Sequence, residues 1–145
     1  MNQKQLLKFH FESKPEKLRL VRELVKNTTS SIGCNPDLCE KLVIAVNEAC
    51  MNVIQHADHG DYSGEIILEI LNNEGQLLFR LEDNASPMDL ESAKPRDLNE
   101  IRPGGLGIHF IREIMDEYVM GHLKGNTGNY LEMRKKIDDY GGEVS

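Results

Sequence analysis

A chain of 145 residues, 39% apolar and 28% charged, has the size and balance of one globular domain built around a single hydrophobic core. Its net charge of −7, with Met133–Lys136 as the only basic cluster, argues against nucleic acid or an anionic membrane surface as a partner. The apolar runs Leu42–Val46 and Ile66–Leu71 are far shorter than the ~20 residues that span a bilayer, no secretory pattern opens the chain, and Cys34, Cys39 and Cys50 form no CxxC motif, so a cytoplasmic protein with buried thiols is expected.

Residues 5–12 alternate, with Leu7, Phe9 and Phe11 on one side and Lys8, His10 and Glu12 on the other, the pattern of a half-buried strand. Ser13 and Pro15 open a helix over 15–32 whose apolar stripe is Leu18, Val21, Leu24 and Val25, with Gly33 as its stop. Asn35 as cap and Pro36 in the first helical position begin a longer helix that reaches Ala57. Residues 64–83 read as two strands joined by a short loop at Asn73–Glu74–Gly75. From Asn84 to Pro103 periodicity is lost, and Pro87, Pro95 and Pro103 punctuate the segment. Patternless stretches of that length inside compact domains are often functional lids. Ile108, Ile111, Ile114, Met115 and Tyr118 then mark a third helix over 107–117. Two further strands, 118–124 and 130–137, flank the turn Gly125–Gly128, and 138–145 is expected to fray. Hairpins dominate this order, so the fold class is α+β, with a mixed, mainly antiparallel sheet and helices on one face, in a single domain over 1–145.

Three stretches hold residues suited to chemistry. On the long helix Glu48, Asn52 and His56 recur at i, i+4 and i+8, bordered by Ala45, Ala49 and Val53. They form either a solvated polar face or, at the edge of the buried stripe, a carboxylate and an amide able to hold a hard cation or orient a nucleophile. Asp83 and Asn84 stand where a strand ends; they suit a plain Asx turn, or a carboxylate that binds an exocyclic amine. Pro103-Gly104-Gly105-Leu106-Gly107-Ile108 leads into the third helix. Its glycines serve a sharp turn or leave helix N–H groups open to an anion, although they match neither GxGxxG nor a Walker loop.

Taken together and in this order, "NEACMNVIQHA", "EDNASPMD" and "RPGGLGIHFIREIMDEY" resemble the N box and the two glycine boxes of the histidine-kinase-like ATPase superfamily. The short chain and its strand-helix-helix opening are most similar to the anti-sigma-factor serine kinases of the RsbW type, over roughly residues 5–137. The resemblance implies the Bergerat ATP-binding fold, a two-layer α/β sandwich. It implies Glu48 as the catalytic base, Asn52 as the ligand of Mg²⁺ on the nucleotide phosphates, and His56 near the phosphates or ribose. Asp83 would read the adenine amino group, beside Ala85 and Met88. Gly104, Gly105, Leu106, Gly107 and Ile108 would close over the phosphates. ATP or ADP with Mg²⁺ is the implied cofactor set; a sigma factor, an anti-anti-sigma protein of the STAS type and a second copy of the chain are the implied partners.

One departure stands out. The family pattern Asp-x-Gly is here Asp83-Asn84-Ala85, which puts a methyl group where the backbone passes the base and makes a positive φ cost ~1 kcal/mol. Weaker nucleotide binding is one consequence to expect. A nucleotide-sensing module of the same fold that sequesters its partner without phosphorylating it is the alternative reading. His56-x-x-His59 has a metal-like spacing but no third ligand.

Overall fold

In the computed structural model the described residues are 3–57, 64–84 and 105–137. Strand β1 (Gln3–Glu12) leads through a 3-10 turn (Pro15–Lys17) into helix α1 (Leu18–Ser31), followed by α2 (Pro36–Ala57), the hairpin β2 (Glu65–Asn73) and β3 (Gln76–Asp83), helix α3 (Gly105–Ile114), and the hairpin β4 (Glu117–His122) and β5 (Asn129–Lys136). The sheet order is β1-β2-β3-β5-β4, and every pairing is antiparallel. The last strand therefore inserts between β3 and β4 and lies along the strand that carries Asp83. The expected frayed tail and most of the patternless segment lie outside the described residues.

Local chemistry accounts for the boundaries. Helix α1 ends in a Schellman arrangement: Gly33 has φ 100°, its N–H donates to the Ser30 carbonyl and the Cys34 N–H to that of Thr29, both at 3.1 Å. Asn35 caps α2, its Oδ1 accepting from the Leu38 N–H at 2.8 Å, with Pro36 in the first turn where a missing N–H costs nothing. Glu74 and Gly75 both have positive φ, the type I′ geometry that matches strand twist, and Asn72 Oδ1 accepts from the Gly75 N–H at 3.1 Å. Thr29 lies on the buried stripe of α1, because its hydroxyl donates to the Val25 carbonyl at 2.8 Å and so carries no unmet hydrogen bond into the core.

Helix α2 is the centre of the helical layer, packed against both α1 and α3. Leu42, Ala45, Val46, Ala49, Cys50 and Ile54 are fully enclosed, and they meet Ile66, Leu68, Ile70, Leu77, Phe79, Leu81, Leu131 and Met133 in one core with the inward face of the sheet. The outward face is polar. Arg80 bonds Glu82 at 2.8 Å and also Glu132, and lies 4.6 Å over the Tyr130 ring, while Arg134 joins Glu132 to Glu117. No helix among the described residues is long and apolar enough to cross a membrane.

Cys34, Cys39 and Cys50 are free and buried. Burial pushes the Cys50 thiol from 9.0 up to about 12, and burial together with neighbouring Cys39 pushes Cys34 to about 11. The native state thus retains protons that the unfolded chain releases. The stability these thiols contribute is complete below pH 9.0 and is lost as pH climbs toward about 12. Urea unfolding between pH 8 and 10.5 is expected to show stability falling, with Cys50 alone adding a slope of up to about 1.4 kcal/mol per pH unit, and Cys50→Ala is expected to flatten that limb.

Candidate nucleotide site

Asp83 ends β3 and is 5% exposed. A buried carboxylate is expensive unless hydrogen-bonded, and the fold supplies a partner through strand order. The β3–β5 register sets Asp83 opposite Asn129, itself 2% exposed, whose Nδ2 donates to Asp83 Oδ1 at 3.0 Å. Gly128 permits the approach. A Cβ at that position would stand 1.9 Å from the Asp83 carbonyl oxygen and 2.9 Å from the Asn84 Cα, both backbone atoms that have no rotamer to yield. The turn into β5 therefore has to be glycine for β3 to end where it does.

Glu48 and Asn52 are half-buried, one helical turn apart on α2. Their direction follows from the other end of that helix. Asp37, Leu38 and Lys41 line a cleft of about 340 Å³ together with Glu113 and Ile114 of α3 and Lys135 of β5. The first turns of α2 thus meet the last turn of α3, so these packed helices run in opposite directions. The row Leu38, Lys41, Ala45, Glu48, Asn52 advances by three and four residues and stays on the α3-facing side. From Ile114 back to Gly105 is ~14 Å along α3, and an equal length along α2 from Leu38 or Lys41 reaches the turn bearing Glu48. The start of α3 is thereby directed toward Glu48 and Asn52. On the other flank of α2, Asn47 accepts a hydrogen bond from Arg22 of α1 at 3.0 Å.

The Asn52 Nδ2 is buried and has no hydrogen-bond partner among the described residues. Buried amides are nearly always paired, and an acceptor brought by a ligand would satisfy this one. The amide carbonyl suits a hard cation carried on such a group, since Mg²⁺ is commonly held by one or two protein oxygens plus phosphates. Among the described residues no cluster of three His, Cys, Asp or Glu forms a cage for a metal on its own. The residues present fit a nucleotide-borne cation better than a dedicated metal centre.

Of the other sequence-derived candidates, Gly105, Leu106, Gly107 and Ile108 lie in the first turn of α3, which begins at Gly105 rather than Gly107. His56 is in the last turn of α2, where only the backbone is described. Ala85, Met88 and Gly104 lie outside the described residues. Asn129 and Gly128 are the site residues that the linear reading passed over.

An antiparallel sheet covered on one face by helices is a two-layer α+β fold. The model of the histidine kinase-like ATPase domain family matches residues 11–135, and the chain belongs to that family. Within it, the chain is 36% identical over 121 residues to the serine-protein kinase RsbW of Listeria monocytogenes serovar 1/2a, an alignment covering 78% of this chain and 77% of that protein. It is 29% identical over 144 residues to the serine-protein kinase RsbW of Bacillus cereus, covering 92% and 89%. The crystal structure of the RsbU and RsbW domains of Rv1364c from Mycobacterium tuberculosis superimposes with a TM-score of 0.63 at 16% identity. That match covers 90% of this chain but 32% of the longer one, and it speaks to the fold.

Proposed function

We propose that this protein is an ATP-dependent serine/threonine kinase that holds a sigma factor inactive and phosphorylates an anti-anti-sigma protein of the STAS type. The observation that carries the proposal is the unpartnered Asn52 amide one turn from Glu48 on the α3-facing side of α2. Kinship with serine-protein kinases named RsbW supports the reaction class.

In this reading Asp83 accepts a hydrogen bond from the base amine. Gly105 to Ile108, the first turn of α3, offer backbone N–H groups at a helix N-terminus, where the dipole favours phosphate. Asn52 Oδ1 would hold Mg²⁺, which when bound neutralises phosphate charge. Glu48 takes the proton of a serine or threonine hydroxyl on the partner as its oxygen bonds to the γ-phosphorus and the bridging oxygen leaves with ADP. Positioning the hydroxyl in line with the leaving oxygen supplies much of the rate. Residues 1–145 act as a single domain, working as a homodimer in the cytoplasm.

Incubating the protein with Mg²⁺, γ-labelled ATP and purified STAS-domain proteins is expected to label one of them on a hydroxyl side chain. Nucleotide-dependent complex formation without label would instead identify a sensing module that sequesters its partner, a reading for which Ala85 in the Asp-x-Gly position is the motive. Phosphate release with no partner present would identify a free-standing ATPase.

A further inference from the structure

Among the described residues four large apolar side chains are exposed: Leu20, Ile44, Phe110 and Val119. Two of them flank the row that carries Glu48. Ile44, 45% exposed, follows Lys41 by three residues and precedes Glu48 by four, so it borders that row on the solvent side of the enclosed Ala45. Phe110, 50% exposed, precedes Glu113 by three residues and Ile114 by four. It therefore shares the flank of α3 that faces Lys41 across the cleft. Because the two helices run in opposite directions, one turn back along α3 from Glu113 is level with one turn forward along α2 from Lys41. Ile44 and Phe110 thus stand on the two banks of the α2–α3 groove, between the charged cleft and Glu48. Neither belongs to the core or packs against it.

A hydroxyl that gives its proton to Glu48 has to come within hydrogen-bond reach of that carboxylate. Side chains four apart on a helix face stand only ~6 Å from each other. Whatever delivers the hydroxyl therefore also covers Ile44, and a partner of protein size reaches across the groove to Phe110. We infer that Ile44 and Phe110 form the docking contact for the hydroxyl-bearing segment of the phospho-acceptor protein, which meets them with an apolar side chain about one helical turn from its serine or threonine. The inference rests on Glu48 as the base and deepens the proposed function by saying where the acceptor is recognised. Covering the two side chains removes apolar surface from water, and aromatic anchors are enriched among the residues that carry interface affinity. Neither side chain is part of the nucleotide seat, so this contact serves the acceptor alone.

The test uses the full chain and the STAS-domain protein that wild type labels. Initial rates are measured against acceptor concentration at saturating Mg-ATP for wild type, Ile44→Ala, Phe110→Ala, the double variant and Val119→Ala. Alanine is a better helix former than isoleucine or phenylalanine, and both helical positions are half-exposed, so α2 and α3 are expected to hold. Each single truncation is expected to raise KM for the acceptor by about 5- to 30-fold, as for an apolar anchor lost at an interface. The double variant is expected to exceed either single one. Turnover at saturating acceptor is expected to stay within about 3-fold, and KM for ATP to stay unchanged, since binding alone is removed. Val119 lies opposite Glu132 on the outward face of the sheet, and its truncation is expected to leave the acceptor KM where it was.

An acceptor KM within about 2-fold of wild type in the double variant would overturn the proposal. So would an equal rise in KM for ATP, which would put the two side chains in the nucleotide seat, or an equal effect from Val119→Ala. Light scattering and a sigma-factor binding titration on the double variant identify the other occupants. Loss of a dimer, or of sigma-factor binding, with acceptor KM unchanged would assign the surface to a second copy or to the sigma factor and overturn the proposal. A wild type that labels no STAS protein is a separate failure, that of the kinase reaction. Calorimetry of STAS-protein binding with Mg-ADP then decides the surface: weaker binding by the double variant is expected, and equal binding, or none by wild type, overturns it.

Discussion

Replacing Glu48 with Gln is expected to slow phosphoryl transfer to the partner protein by about 10²- to 10⁴-fold, the range for loss of a positioned general base, while nucleotide affinity stays within a few-fold of wild type. The two effects separate because Gln keeps the length and hydrogen-bonding reach of the side chain and removes only its capacity to take a proton. Helix α2 is also expected to tolerate the change. Glu48 is half-buried beside the enclosed Ala45 and Ala49, and the helix is held by Leu42, Val46, Cys50 and Ile54 on its other face. Single-turnover labelling of the partner under saturating Mg-ATP, with a parallel binding titration, reads both quantities. A transfer rate within a few-fold of wild type would remove Glu48 from the chemistry and leave positioning and phosphate charge neutralisation as the whole of catalysis. A parallel loss of binding would make it a ligand-holding residue.

The parts of this molecule that were legible in the sequence are those whose causes are local. Asn35-Pro36 announces the start of α2, Gly33 the end of α1, and Asn73–Glu74–Gly75 the hairpin, because each acts through bonds spanning a few residues. The i, i+4 spacing of Glu48 and Asn52 placed them on one helix flank, and the enclosed alanines beside them marked the edge of the core. The sheet order was not legible. Pairing β5 with β3 across an intervening helix and strand is a non-local choice, made by which faces must be buried together. It is that choice which brings Asn129 to Asp83. Read along the chain, Gly125–Gly128 is only a turn, and a strand begun at Tyr130 leaves Asn129 in the loop; the structure begins β5 one residue earlier, on the side chain that matters. Thr29 is a milder case: a polar residue on an apolar stripe is invisible to periodicity because its hydroxyl bonds its own helix.

The Asn52 amide sets function against stability in a way a substitution can expose. Its Nδ2 is buried without a partner, and an unmet buried donor typically costs about 1–3 kcal/mol. Asn52→Leu keeps the branching of the side chain, removes the unmet donor and extends the apolar face formed by Ala45, Ala49 and Val53. The ligand-free variant is therefore expected to be as stable as wild type or more so, by up to about 1–2 kcal/mol. Mg-ATP should tell the opposite story. Binding raises the melting temperature by mass action, and a variant that can neither hold the cation nor donate to a phosphate oxygen is expected to lose most of that rise, with affinity falling about 10- to 100-fold, the range of a hydrogen bond to a charged group. Thermal melts of both proteins, with and without Mg-ATP, give the four numbers required. Stabilisation by nucleotide that survives the substitution would place the phosphates elsewhere. A ligand-free variant several kcal/mol less stable than wild type would show that the amide has a structural partner, so that its lack of one could no longer mark the ligand's seat.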